Sequence, residues 1–256
     1  MIIKSTKEKK TIPYHEKVIL NFTRHISNID PGLLDCNPIL SGSNAIKYIY
    51  SPSSEANDTD LYFASKDDHD KALRLLSSKT KKFFTTKNAT SFNEFKTQLI
   101  KKAFLQPEKM ISTHDFSNVA CAITVDTIFT TKKTNHAWYN QELHLQRFQI
   151  PENPTDTERL ICLTQLIDRV HKYKERYSLT LSDDFKMFLY AQKTWLEAHK
   201  SLEVTIPYLD EVVLDYYGSP IQDRSYSVFY PLSSINGFLN LPFVDTFSMQ
   251  EEFASL

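Results

Sequence analysis

Residues 40–65, LSGSNAIKYIYSPSSEANDTDLYFAS, combine a turn, a helix and an acidic strand in that order. The turn is Gly42-Ser43, and residues 44–49 after it have the apolar spacing of a helix. Asp58 and Asp60 then stand at the head of an apolar strand. The stretch fits either the front of a metal-dependent nucleotide site or a turn and a strand that carry two surface carboxylates.

Composition sets the limits of what the chain can be. Its 256 residues, 41% of them apolar, can bury the core of one large domain or of two ordinary ones. Lysine plus arginine (30) nearly cancels aspartate plus glutamate (31), which excludes a global field for nucleic acid or an anionic membrane. The cysteines Cys36, Cys121 and Cys162 lie far apart and form no CxxC, so we expect reduced, buried thiols.

The apolar runs are too short to cross a membrane. None approaches the roughly 18–20 residues that a membrane helix needs, and the first residues lack the apolar segment of a secretory signal. We therefore expect a cytoplasmic protein without a membrane partner. The chain has four glycines, whereas usual composition would give about 18. A glycine in so poor a background indicates a backbone requirement, which adds weight to Gly42.

Periodicity predicts helices over residues 14–28, 44–49, 67–79 and 183–199, and strands over 60–64, 90–104 and 119–125. Residues 151–154, Pro-Glu-Asn-Pro, are the best linker, because two prolines in four residues forbid a regular element. Thr155 can cap a further helix, with Glu158 three residues on. We therefore predict two domains, 1–150 and 151–256, the second mostly helical. No regular architecture is assigned beyond residue 202.

Asp58 and Asp60 lie two residues apart, so on a strand their side chains share one face. Two adjacent carboxylates repel unless a cation lies between them, and Mg²⁺ is an oxygen-seeking ion that also binds triphosphate oxygens. The turn at Gly42 and Ser43, just before a helix, offers backbone N–H groups and a dipole to phosphates. Taken singly, a solvated carboxylate pair and an ordinary turn explain these residues as well.

Together these motifs resemble the nucleotidyltransferase superfamily related to DNA polymerase β. Its first motif corresponds to Leu40-Ser41-Gly42-Ser43-Asn44-Ala45, and its second to Asp58-Thr59-Asp60-Leu61-Tyr62-Phe63. The resemblance implies an α+β fold, in which a mixed β-sheet flanked by helices precedes a mostly helical C-terminal region. It implies transfer of a nucleoside monophosphate from a triphosphate such as ATP to a hydroxyl, with two Mg²⁺ or Mn²⁺ ions on three carboxylates.

Two residues compete to be the third carboxylate, Asp115 before an apolar strand and Asp126 at its far end. Residues 97–123, TQLIKKAFLQPEKMISTHDFSNVACAI, are similar to a little-characterised branch of the superfamily. In that branch a Phe-Asp-Phe strand supplies the third ligand, which favours Asp115. His114 departs from the usual aromatic residue before it. We therefore predict that Asp58, Asp60 and Asp115 are the catalytic, metal-binding carboxylates, and Gly42 and Ser43 bind nucleotide.

A basic stripe follows the linker. Arg169, Lys172 and Arg176 are spaced three and four residues apart, so one helix face carries all three. They suit phosphate binding, although a solvated face partly neutralised by neighbouring acids is the alternative. The same branch carries a similar Arg-x-x-Lys-Tyr-x-x-Arg segment, usually followed by glycine; Tyr177 stands in that place here. We count the three basic residues as nucleotide-binding candidates.

Three functional hypotheses follow. The first is an active nucleotidyltransferase whose acceptor is an RNA 3′ end, a protein or a small molecule; the near-neutral charge disfavours long nucleic acid. The second is a non-catalytic binding protein that keeps the fold. The third is an interaction protein in a host–parasite or toxin–antitoxin conflict, acting by modification or by binding. The presence of all three carboxylates favours the enzyme. GxSxG, P-loop and GxGxxG motifs are absent from the sequence.

Overall fold

The computed structural model describes residues 14–54, 56, 58–199, 205–206, 213–214, 220–221, 226–227 and 232–239. The helices are α1 Tyr14–Ile29, α2 Ser43–Ile49, α3 Lys66–Lys79, α4 Pro107–Ile111, α5 Lys132–Tyr139, α6 Asp156–Tyr177, α7 Asp183–Ala198 and α8 Leu232–Phe238. The strands are β1 Ile39–Ser41, β2 Thr59–Tyr62, β3 Phe83–Thr85, β4 Ala89–Phe92, β5 Thr97–Ile100, β6 Ala122–Ile123, β7 Ile128–Phe129, β8 Glu142–Leu143, β9 Thr180–Leu181, β10 Thr205–Ile206, β11 Val213–Leu214, β12 Pro220–Ile221 and β13 Tyr226–Ser227.

The described residues form two compact units. The first unit is drawn from Met1–Thr113, Val119–Thr131 and Glu211–Ile221. The second unit is drawn from His114–Asn118, Lys132–Asp210 and Gln222–Leu256. The chain enters the second unit before the predicted linker at residues 151–154. The division into domains at residue 150, which concerns independent folding, stays a prediction.

The first unit is built on one mixed sheet, with strand order β12-β11-β3-β4-β5-β2-β1-β6-β7. β2 and β5 are parallel, and the other neighbours are antiparallel. Helix α1 buries Val18, Phe22 and Ile26, which lie four residues apart on one face. Helix α4 and the loop before it help to cover part of the sheet, in a cluster of Ile39, Met110, Ile111, Ala120 and Ala122 with Tyr62, Ala64, Leu105 and Phe129.

The second unit is mainly helical. Helix α6 begins with a complete capping box, in which Thr155 and Glu158 satisfy each other's backbone N–H groups. Phe116 is fully buried, and its ring lies 5.5 Å from that of Tyr173 on α6 and 5.9 Å from that of Phe185 on α7. β8 and β9 form a parallel pair, β10 and β13 an antiparallel one, and α8 contacts α7.

The predicted fold class is confirmed: a mixed sheet flanked by helices is followed by a mostly helical region. The helices predicted over 14–28, 44–49, 67–79 and 183–199 are also confirmed. None of the described helices is both long and apolar enough to span a membrane.

Two predicted strands are wrong in extent. The predicted strand over residues 90–104 is instead a hairpin of β4 and β5, which ends at Ile100. A 3-10 turn, Asn93–Phe95, separates the two strands, and Lys96 in a left-handed conformation (φ 47°) ends this turn. Of residues 119–125, two alone form a strand, β6. The thiols of Cys36 and Cys121 are buried as expected, whereas Cys162 is partly exposed. It lies on α6, beside buried Leu163 rather than on the buried face itself.

Candidate active site

Gly42 links β1 to α2 with backbone angles that favour glycine, φ 70° and ψ −147°. A Cβ atom at this position would lie 3.2 Å from Oδ2 of Asp60. The carbonyl of Gly42 accepts a hydrogen bond of 3.1 Å from the amide of Ile46, which starts the helix. The backbone requirement that glycine scarcity indicated is therefore confirmed by the positive φ, and the nearby Asp60 carboxylate leaves little space for a side chain.

The acidic pair lies on the strand beside this turn. β1 and β2 pair antiparallel, with Ser41 opposite Asp60. Along β2, Thr59 and Leu61 are buried while Asp60 and Tyr62 are partly exposed, and Asp58 just before the strand is exposed. Because side chains alternate along a strand, the two carboxylates lie on the face opposite the buried side chain of Thr59. The first unit therefore brings four predicted residues together: Gly42, Ser43, Asp58 and Asp60.

The chemistry of this turn and strand fits a divalent ion on two counts. Two carboxylates at alternate positions supply the oxygen ligands that Mg²⁺ prefers. The missing Cβ of Gly42 lets backbone approach the Asp60 carboxylate. In the part of the chain that the structure describes, no group of three histidine, cysteine, aspartate or glutamate side chains could hold a metal ion. The magnesium site stays a prediction, with Asp58 and Asp60 as its candidate ligands in the first unit.

The predicted third carboxylate, Asp115, lies in the second unit. It is 9% exposed, and its Oδ2 forms an ion pair with Nε of Arg169 at 2.7 Å. Its carbonyl accepts hydrogen bonds from the amides of Gln146 (2.7 Å) and Arg147 (3.0 Å), which fix the backbone at this point. Burial lowers the pKa of the preceding His114 to about 4, so this imidazole is neutral at physiological pH. An arginine thus already compensates the charge of Asp115.

The basic residues of α6 have different surroundings. Lys172 is exposed, with its Nζ 6.0 Å from the centre of the Tyr173 ring, whereas Arg169 and Arg176 are half-buried. The helix continues through Tyr177, and Ser178 takes the left-handed conformation (φ 53°) that ends it. That these residues and Asp115 share a site with the first unit stays a prediction.

Asp126, the alternative third carboxylate, lies in the turn between β6 and β7. It is exposed and accepts a hydrogen bond of 2.7 Å from the hydroxyl of Thr124. Hydrogen bonds from the side chains of Thr124 and Thr127 lower its carboxyl pKa. This environment is that of an ordinary turn aspartate.

The sequence motifs predict no role for the interior face of the acidic strand. Thr59 stands between the two aspartates and is 4% exposed. Its hydroxyl lies within hydrogen-bond distance of His25 on α1 and of Asn44 on α2. The available signal was a polar residue between the two aspartates, at the inward position of a strand whose later residues, 61–64, are apolar.

Several solved structures are similar to this chain at low sequence identity. A Thermotoga maritima CCA-adding enzyme complexed with tRNA-CCA is 13% identical, with a TM-score of 0.48 over 77% of this chain and 45% of that one. A CCA-adding enzyme with ATP is 12% identical, with a TM-score of 0.47 over 73% and 45%. A tRNA nucleotidyltransferase with a primer tRNA and an ATP analogue is 12% identical, with a TM-score of 0.44 over 62% and 48%. The chain spans less than half the length of these proteins.

Sequence comparison gives a more definite result. No curated protein is significantly similar to this chain. The family model described as Gabija anti-defense 2 matches residues 13–141, half of the chain, including the glycine turn, the acidic strand and Asp115. This protein therefore belongs to the Gabija anti-defense 2 family.

Proposed function

We propose that this protein is a metal-dependent nucleotidyltransferase that moves a nucleoside monophosphate from a nucleoside triphosphate to a hydroxyl acceptor. We further propose that this activity counters the Gabija defence after which the family is described. The first part rests on the turn and strand of the first unit, and the second on family membership. The proposal thus combines the nucleotidyltransferase hypothesis with the hypothesis of a role in a host–parasite conflict.

The observation that carries the enzymatic proposal is the contact between Gly42 and Asp60. A glycine with φ 70° keeps the space 3.2 Å from a carboxylate oxygen clear of side chain. A surface aspartate at a strand end does not require such a glycine. A site in which backbone, carboxylate and bound phosphate oxygens must all fit closely does require it.

The residues have separate proposed roles. Asp58, Asp60 and Asp115 would hold Mg²⁺ or Mn²⁺, which supplies charge neutralisation to the triphosphate and activation to the acceptor hydroxyl. Gly42 and Ser43 would hold phosphate oxygens at the turn. The basic side chains of α6, Arg169, Lys172 and Arg176, would add positive charge for the phosphates.

A second candidate function, nucleotide or partner binding without catalysis, is favoured by one observation. Arg169 already pairs with Asp115 at 2.7 Å, and a carboxylate neutralised by arginine is a weaker competitor for a divalent ion. A metal ion on Oδ2 of Asp115 would have to displace this arginine. The binding hypothesis needs no such change.

The test incubates the protein with each α-labelled nucleoside triphosphate, Mg²⁺ or Mn²⁺, and one of three acceptor pools: total RNA, purified Gabija proteins or a low-mass cell extract. We expect label transfer that Asp58→Asn and Asp60→Asn abolish. Asp183→Asn is the matched control, since Asp183 is an exposed aspartate at the start of α7 that pairs with Lys186. No transfer to any pool, together with no triphosphate binding by calorimetry, would refute the enzyme.

The same assay separates the two candidate functions at Asp115. Asp115→Asn should abolish transfer while Asp126→Asn leaves most of it; the reverse result would show that the third ligand lies in the β6–β7 turn. If the wild-type protein binds triphosphate but transfers no label, the result would support the binding hypothesis.

The anti-defence role is tested in cells that carry the Gabija system and face a parasite which that system restricts. We expect expression of the protein to restore parasite propagation, and Asp60→Asn to remove this effect. Restoration by Asp60→Asn at wild-type level would show that binding, rather than nucleotidyl transfer, counters the defence.

A further inference from the structure

A polar network lies behind the acidic strand, on the face opposite the two carboxylates. The hydroxyl of Thr59 lies 2.9 Å from Nε2 of His25 and 3.3 Å from Nδ2 of Asn44. Nδ2 of Asn44 also donates a hydrogen bond of 2.9 Å to the carbonyl of Asp58. Asn44 is 6% exposed and Thr59 is 4% exposed, so water does not replace these partners easily.

The amide N–H groups of Asn44 and the hydroxyl of Thr59 are all engaged in this network. An asparagine amide has two N–H donors, and Asn44 directs one to Asp58 and one to Thr59. The threonine hydroxyl accepts from Asn44 and retains its own proton and a lone pair for His25. Burial, and next the charge of Lys47, lower the pKa of His25, which favours the neutral imidazole, and its tautomer sets whether it donates to the hydroxyl or accepts from it.

The network holds the backbone at Asp58, which strand pairing within the sheet does not reach. Pairing with β1 ends at Asp60, which faces Ser41, and pairing with β5 ends at Thr59, which faces Thr97. Asp58 lies one residue beyond the ladder with β5 and two residues beyond the ladder with β1. The hydrogen bond from Asn44 to the backbone carbonyl of Asp58 therefore anchors the residue that carries the first carboxylate to the Gly42-Ser43 turn and its helix. The second carboxylate, that of Asp60, already lies close to Gly42 in the same turn.

We propose that Asn44 and Thr59 are positioning residues, which hold the backbone of Asp58 and Asp60 so that both carboxylates can bind one divalent ion. This inference rests on the proposed function, because it assigns these residues to the same site. The groups that support a metal ligand from behind typically contribute about 10- to 100-fold to metal affinity. A network that fixes both backbone positions belongs in that range.

The experiment measures Mn²⁺ binding to the full chain without nucleotide, from the electron paramagnetic resonance signal of the free ion. Thr59→Val keeps the shape of the side chain and removes the hydroxyl, and Asn44→Ala removes both donors. We expect each to weaken Mn²⁺ binding about tenfold. Thr59→Ser, which keeps the hydroxyl, should stay within about twofold of the wild type. Asp60→Asn in the same titration identifies the binding as that of this site.

The matched control is Thr90→Val. Thr90 is a buried strand threonine of the same unit, 2% exposed, whose hydroxyl lies 3.1 Å from that of Thr85 on β3. Thermal unfolding should show a similar destabilisation for Thr59→Val and Thr90→Val, while Mn²⁺ affinity falls for Thr59→Val alone. Equal losses of Mn²⁺ affinity in Thr59→Val and Thr90→Val would overturn the inference. Wild-type Mn²⁺ affinity in Asn44→Ala would also overturn it, so the test remains decisive if Thr59→Val does not fold.

The failure of the inference is distinguishable from that of the proposed function. Mn²⁺ binding that Asp60→Asn abolishes but Asn44→Ala and Thr59→Val leave unchanged would overturn the positioning role alone. Absence of Mn²⁺ binding by the wild type, or binding that Asp60→Asn leaves intact, would overturn the metal-dependent enzyme and the positioning role with it.

Discussion

At the scale of single residues, two glycines show how differently the same residue type can be used. Gly42 adopts φ 70° next to a carboxylate, whereas a Cβ atom on Gly237 in α8 would meet nothing within 4 Å. Any other residue at position 42 would have to adopt backbone angles that residues with a side chain avoid. A side chain at Gly237 would enter open space within a helix.

This contrast predicts opposite effects on stability. Gly42→Ala should lower the free energy of unfolding by about 1–3 kcal/mol, because of backbone strain and the close Asp60 oxygen. Gly237→Ala should raise it by about 0.5–1 kcal/mol, because alanine favours a helix over glycine. Urea unfolding of both variants is the measurement. A stable Gly42→Ala variant would show that the turn is not under steric constraint.

At the scale of the element, α3 carries a lysine ion pair at each end. Lys79 in the last turn pairs with Asp30, which is 5% exposed, while Lys66 in the first turn pairs with the more exposed Asp70 at 2.5 Å. A hydrogen bond from Lys79, and a weaker one from the amide of Gly32, lower the pKa of the Asp30 carboxyl. Removing Lys79 would leave a buried carboxylate without its cation.

We therefore expect Lys79→Met to lower the free energy of unfolding by about 1–2 kcal/mol at pH 7, a value reduced because Lys79 is half-exposed. Lys66→Met, the matched control on the same helix, should have no measurable effect. Because the Asp30 pKa is lowered on folding, its contribution is present above about pH 4 and disappears as the pH falls through the folded value. The difference between wild type and Lys79→Met should shrink accordingly in denaturation curves measured from pH 7 to pH 3.

The helices were predictable from the sequence because their signals are local. The capping box of Thr155 and Glu158 and the apolar spacing of α1 lie within a few residues of one another. The hairpin of β4 and β5 was not predictable in this way. Its turn depends on a left-handed lysine, Lys96, which carries no glycine or proline signal.

At the scale of the whole molecule, the second unit draws on residues from both sides of the predicted domain boundary at 150. Phe116 packs against Tyr173 and Phe185, and β8 pairs with β9, so partners on the two sides of residue 150 share one core. A fragment that ends at residue 150 would lose these partners for Phe116 and Leu143, both fully buried in the whole chain.

We expect the 1–150 fragment to bind a hydrophobic dye and to unfold without a cooperative transition, because apolar rings lose their cover. The full chain should unfold cooperatively and bind little dye. A cooperative transition of the fragment, measured by circular dichroism, would instead support an independent domain that ends at residue 150.

The candidate site was predictable in part. The glycine turn and the acidic pair lie within 20 residues, and their order is visible in the sequence. The ion pair of Asp115 with Arg169 joins residues more than 50 positions apart, and no local pattern encodes such a contact. The interior network of His25, Asn44 and Thr59 depends on helices α1 and α2 meeting behind strand β2, which only the folded chain shows.

The register of β1 against β2 also limits how this chain can change in length. Ser41 faces Asp60, and strand side chains alternate, so inserting or deleting one residue within Thr59–Tyr62 would turn the second carboxylate inward and a buried residue outward. The connection between Ile49 and Asp58 lies outside both paired strands and is free of this constraint. Natural length variation between the glycine turn and the acidic strand should therefore be confined to that connection.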